Sequence, residues 1–158
     1  MGARGETFAK QFEGKVQEAT GVMEKLSDAD WKKITSAEKW SVGVTAHHIA
    51  IAHQGISGIM KALAEGKPGP NMPLKALDDM NAQHAKEHAA CTKAETLALH
   101  KKNAAAAAAL LRTLDDAAFD RSSKVFSEAP PMSAGQMAGI LSSHIDEHLN
   151  SIRATVGR

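Results

Sequence analysis

The sequence predicts an all-α protein, an antiparallel four-helix bundle, and three observations carry that prediction. Aromatic residues make up only 4% of the 158-residue chain, with no Tyr, while Ala is abundant; strands draw on aromatic and β-branched residues, helices on Ala. Apolar residues recur at three- and four-residue intervals over long stretches. Between those stretches stand capping residues, Pro and Gly.

The first helix is predicted over 6–26, with Phe8, Phe12, Val16, Ala19 and Met23 on one face. Ser27 and Asp30 offer a cap for a short turn around Trp31. The second long helix follows Ser41, an N-cap candidate, and extends to about Glu65. Pro68, Gly69, Pro70 and Pro73 then require a loop. A third element starts at Pro73 or Leu74 and extends to Leu114. Thr92 and Glu95 form a capping-box pattern that marks a fresh helix start inside it. After Pro130 and Pro131, Ser133 and Gln136 repeat that pattern at the head of the last helix, which extends to about Val156 before Gly157. Nothing reads as a strand. There is no internal repeat and no internal boundary, so residues 1–158 are expected to form one bundle domain.

Composition narrows the function classes. The net charge is +1 and Lys and Arg are scattered, which argues against nucleic-acid binding. Cys91 is the only cysteine, so an internal disulfide is impossible and a reducing, cytoplasmic setting is expected. The polar stretch 1–10 lacks the apolar segment of a signal peptide, and Glu6 stands where a myristoylation signal wants Ser or Thr. The longest apolar run, Ala104 to Leu111, is far short of the roughly 20 residues that span a bilayer, so no membrane partner is expected.

Eight histidines supply the candidate chemistry. At about 100° per residue, His144 and His148 fall with Met137, Leu141, Ile152 and Thr155 on the inward stripe of the last helix. Two imidazoles one turn apart on such a stripe need partners for their nitrogens. A metal ion satisfies both; hydrogen bonds inside the core are the alternative. On the second long helix, Val42, Ile49, Ala52, Ile56, Met60 and Leu63 form the apolar face. His48 lies at its edge, His47 points about 100° further round to a surface or rim position, and His53 falls among the core residues. His84 and His88 make a second i, i+4 pair, on a stripe with Leu77, Asn81 and Cys91. Asn81, His84 and His88 are therefore candidate pocket residues. His100, among Lys101 and Lys102, reads as solvent-facing. Met60, Met80 and Met137 read as core, Cys91 as a small buried hydrophobe, and Trp40 as a structural residue at a helix head.

Trp40-Ser41, then His48 eight residues after the Trp, then His144-Ile-Asp-Glu-His148 in order resemble the DinB/YfiT-like superfamily. Leu26 to Trp31, Asp79 to Ala82 and Leu149 to Arg153 are similar to recurring family segments. Leu149-Asn150 departs from the His-Gly-Gln that follows the second HxxxH histidine in many relatives. The resemblance implies a four-helix bundle and a three-histidine metal site at His48, His144 and His148, holding one divalent ion, Zn²⁺ or Ni²⁺ first. Three nitrogen ligands with an open position are the ligand count of a catalytic site, and they also suit Fe²⁺, Co²⁺ and Cu²⁺. An ion so placed acidifies a water, which hydrolyses esters or amides, or a thiol, which attacks electrophiles. Some relatives use low-molecular-weight thiols such as bacillithiol or mycothiol. The resemblance thus implies a small-molecule substrate and a thiol S-transferase or hydrolase. Relatives often dimerise, so a homodimer is among the expectations. No catalytic residue is nominated: Asp146 and Glu147 lie off the inward stripe. The alternative is a non-catalytic, metal-binding or stress-response bundle.

Overall fold

The computed structural model describes residues 2–157. Met1, the start of the stretch read above for targeting signals, and Arg158 lie outside them. The elements in chain order are α1 (Ala3–Lys25), α2 (Asp28–Lys32), α3 (Val42–Ala64), α4 (Leu74–Glu87), α5 (Lys93–Thr113), a 3-10 turn (Asp116–Asp120), β1 (Ser122–Ser123), β2 (Met132–Ser133) and α6 (Ala134–Val156).

Local hydrogen bonds start these helices where the sequence signals them. Ser27, Thr92 and Ser133 each accept from the backbone N–H three residues on, and Asp30, Glu95 and Gln136 reach back to the cap N–H. Ser41 accepts from Val44 N–H. These bonds satisfy donors that a helix start leaves open. At the far end, Gly157 closes α6 with a left-handed φ of 80°, a conformation that costs glycine little. The element read as starting at Pro73 or Leu74 divides at the Thr92 cap into α4 and α5. One expectation fails: the chain does contain strand, in the two-residue antiparallel pair of Ser122 with Ser133 and Ser123 with Met132. A pair so short carries no alternation for a sequence reading to detect.

Four helices make the bundle. α3 packs against both α5 and α6, and α1 packs against the same two. Lys93 Nζ donates to the carbonyls of Glu24 and Leu26 at one end of the α1–α5 pair. At the other end Gly5 sits so close to α5 that a Cβ would lie 2.3 Å from the Leu111 carbonyl oxygen; these two helices are antiparallel. So are α3 and α6, joined near His48 and His144 at one end and through Arg121, which bonds Ala64 O and Ala134 N, at the other. α4 is the crossover that returns the chain so that α5 can start beside α1's end. Bundles with such long connections are a known variant of the architecture.

Phe12, Met23, Ile49, Leu63, Leu111, Phe119, Leu141, Ile145, Leu149 and Ile152 fill the core, each contributing about 1.5–3 kcal/mol by leaving water. Ala104, Ala107 and Ala108 are buried; their small side chains let α5 lie close to its neighbours. Met60 and Met137 are buried as expected, but Met80 is 59% exposed. The reason is that α4 lies outside the four-helix core and none of its residues is buried. Among the described residues no helix is long and apolar enough to cross a membrane.

Candidate metal centre

Three rings converge where α3 meets α6. His48 Nε2 lies 3.1 Å from His144 Nε2, and His148 Nε2 lies 3.2 Å from the same atom. His48 and His148 are buried and His144 half-buried. The buried stripe of α6 is centred nearer Ile145 and Leu149 than the sequence placed it, which leaves His144 at its edge, facing α3. The opposite face of the His148 ring system is fixed by a residue the sequence reading missed. His148 Nδ1 donates to Glu38 Oε2 at 2.7 Å, and Ser151 Oγ donates to Glu38 Oε1.

Glu38 decides the tautomer. Burial works to raise its pKa, but hydrogen bonds from Ser151, His148 and Thr35 outweigh that and hold it below the ordinary carboxylate value. An ionised carboxylate only accepts, so Nδ1 of His148 carries a proton, which is the tautomer whose Nε2 offers a lone pair toward the other two rings. This carboxylate–histidine arrangement is the usual support of a metal-ligating imidazole. Burial first, then the neighbouring His144, His148, His84 and His47, pushes His48 down to about 2; burial and His148 push His144 to about 4. Both are neutral near pH 7, as ligation requires.

The donor set fits a divalent ion. A tetrahedral ion with Zn–N bonds of about 2.0–2.1 Å places its nitrogens about 3.3 Å apart, within a few tenths of an ångström of the two separations observed. Hydrogen bonding alone can account for the same contacts with one proton on His144 Nε2. Zn²⁺ affinity itself separates the two accounts, and Glu38→Gln tests the carboxylate's part in it: the variant keeps an acceptor for Nδ1–H but removes the charge. It is expected to weaken Zn²⁺ affinity about 10–100-fold, the usual effect of losing such a support, measured by competition with a chromophoric chelator. Unchanged affinity would show that Glu38 only braces the fold.

Trp40 is more than a structural cap. Its ring lies over His148 at 6.4 Å with 21° between planes, and meets His48 edge-on at 5.1 Å. It also forms one wall of a groove lined by Ile34, Ser41, Val44, Ala85 and Ala89, with Lys39 and Lys86 at the edge. Of the expected pocket residues, His84 comes within 5.8 Å of the His48 ring, centroid to centroid. His88 packs instead on His47, and Asn81 is half-buried one turn before His84.

Two histidines differ from expectation. His47 is 7% exposed because α4 covers the side of α3 that the sequence assigned to solvent. His100 is fully buried despite Lys101 and Lys102 beside it. Its Nδ1 bonds His53 Nε2 at 3.0 Å and its Nε2 bonds Thr20 Oγ1 at 3.0 Å. His53 and His100 are therefore satisfied core histidines, and Asn103, which donates to Ala50 O at 3.0 Å, lies on the same helix as His100.

The profile of the DinB superfamily matches residues 11–152. The chain belongs to the DinB superfamily. Among solved structures, YfiT from Bacillus subtilis is similar over 97% of this chain and 87% of its own, at 20% sequence identity and a TM-score of 0.73. That protein is described as a probable metal-dependent hydrolase with an unusual four-helix bundle topology, and the likeness establishes the shared fold. No curated protein matches the chain in sequence.

Proposed function

We propose that this DinB-superfamily chain is a metal-dependent enzyme whose catalytic divalent ion, Zn²⁺ or Ni²⁺, is held by His48, His144 and His148 and activates a small nucleophile, water or a low-molecular-weight thiol. The observation that carries the reading is the convergence of three Nε2 atoms with the Glu38 carboxylate holding the proton on the far side of His148. When bound, such an ion supplies Lewis acidity, which acidifies a water or a thiol near neutral pH.

The protein's own residues supply the rest. Glu38 keeps His148 Nδ1 protonated and the ring oriented. Trp40 shields His48 and His148 from solvent on one side, and the groove beside it offers an apolar wall of Ile34, Trp40 and Val44 to the body of a small substrate. Lys39 and Lys86 at the groove edge favour a substrate that also carries an anionic group. Hydrolysis and thiol transfer are both served by this arrangement. YfiT's description favours the first for this chain by likeness of fold; the use of thiol cosubstrates by some members of the superfamily favours the second.

The test is turnover with and without the ion. Protein stripped by chelator and reloaded with Zn²⁺ or Ni²⁺ is offered activated esters, and separately a thiol with an electrophilic acceptor. Metal-dependent turnover of either class, lost in His144→Ala, supports the proposal and selects the reaction. Full metal occupancy with no turnover of either class would replace the enzyme by a metal-binding module.

A further inference from the structure

A second group of three imidazoles lies beside the first. His47 Nδ1 is 2.7 Å from His84 Nε2. The His47 ring stacks on His88 at 4.2 Å with 20° between planes, and His84 and His88 lie 4.8 Å apart. One ligand nitrogen from each of the three lies within 4.8 Å of the others. We propose that His47, His84 and His88 form a second divalent-cation site, which fastens the C-terminal end of α4 to α3 at the side of the first triad.

Hydrogen bonding does not complete this cluster. The His47–His84 contact uses one nitrogen of each ring, yet His84 Nδ1 is buried with no hydrogen-bond partner among the described residues. A buried polar atom in that condition loses its water without gaining a partner, which is unfavourable. An unprotonated imidazole nitrogen offers an in-plane lone pair, and a cation is a partner that takes only lone pairs. Nitrogen donors select Zn²⁺, Ni²⁺, Co²⁺ or Cu²⁺ over Mg²⁺ and Ca²⁺.

No residue of α4 is buried, and Leu74 and Met80 are exposed, so little apolar burial holds it down. Its N-terminal end is tied by Glu128, whose carboxylate accepts from Leu74 N–H. Its C-terminal end meets α3 through these histidines. His47 and His48 are neighbours on α3 and point about 100° apart, so each serves a different triad, and His84 edges against His48 at 5.8 Å. An ion at the second triad thus holds α4 as a wall of the first.

The experiment counts metal in the full chain after Zn²⁺ loading and gel filtration, and follows amide hydrogen exchange along α4. The parent is expected to retain two equivalents. His84→Ala on α4 and His88→Ala just past its end, neither a buried position, are each expected to retain one, and so is His148→Ala. In the His148→Ala background, Zn²⁺ is expected to slow exchange at 84–91 by about tenfold or more, as a locally opening segment becomes tethered. A parent with one equivalent that His148→Ala abolishes and His88→Ala spares would overturn this site and leave the proposed function standing. One equivalent lost only in His88→Ala would do the reverse. Zn²⁺ uptake in His148→Ala without protection of α4 would overturn the fastening.

Discussion

Zn²⁺ at about a thousand times its dissociation constant is expected to raise the melting temperature of the chelator-stripped protein by roughly 8–16 °C near pH 7.5. A ligand that binds only the folded state stabilises it by about 4 kcal/mol at that excess, and a chain of this size gains about 2–4 °C per kcal/mol. The unfolded chain has the same histidines, but His48 and His144 are separated by 96 residues, so convergence exists only in the fold. His148→Ala should remove the whole contribution of the first triad, leaving only what His47, His84 and His88 provide. The same substitution leaves Glu38 buried with Ser151 and Thr35 as its remaining partners, so a lower starting melting temperature is also expected. The decisive quantity is therefore the metal-induced shift, read by calorimetry, in parent and variant. An identical shift in the two would mean that the ion binds elsewhere.

Most of the fold is legible in the sequence because it is signalled locally. Four helix starts are written as side-chain oxygens followed three residues later by an acceptor or a free N–H, an interaction that needs only neighbouring residues. The distinction between His47 and His48 follows equally locally, from a 100° rotation about one helix axis. What local signals do not carry is whatever depends on which element covers which face. His47 reads as a rim residue because the period of α3 cannot reveal that α4 lies over it. His100 reads as exposed because its own neighbours are lysines, whereas its environment is set by His53 and Thr20 from two other helices. Met80 errs the other way, as an apolar residue on a helix that never enters the core. Glu38 had no periodicity to expose it. It sits in the irregular turn before Trp40, next to Lys39 with its left-handed φ of 63°, and only the tertiary fold brings it 2.7 Å from His148.

Acidification of the metal-free protein from pH 7 to pH 5 is expected to cost about 2 kcal/mol for His53 alone, and more from the other buried imidazoles. Burial first, then the neighbouring His100 and His144, pushes His53 down to about 3 in the folded chain, against an ordinary value of 6.5. Burial likewise lowers His100, against the opposing effect of the Val16 carbonyl. Between pH 6.5 and about 3 the unfolded chain therefore holds a proton on His53 that the folded chain does not. The state with more bound protons is favoured as pH falls, so stability is full above 6.5 and is lost on the way down. At 1.36 kcal/mol per pH unit, the interval from 6.5 to 5 accounts for the 2 kcal/mol. Typical domains have only about 5–15 kcal/mol in all, so the urea midpoint should fall visibly by pH 5. His53→Gln, which keeps a polar side chain opposite His100, should flatten that dependence by the His53 share. A midpoint independent of pH over this range would mean that His53 takes up its proton within the fold, with His100 or water rearranging around it.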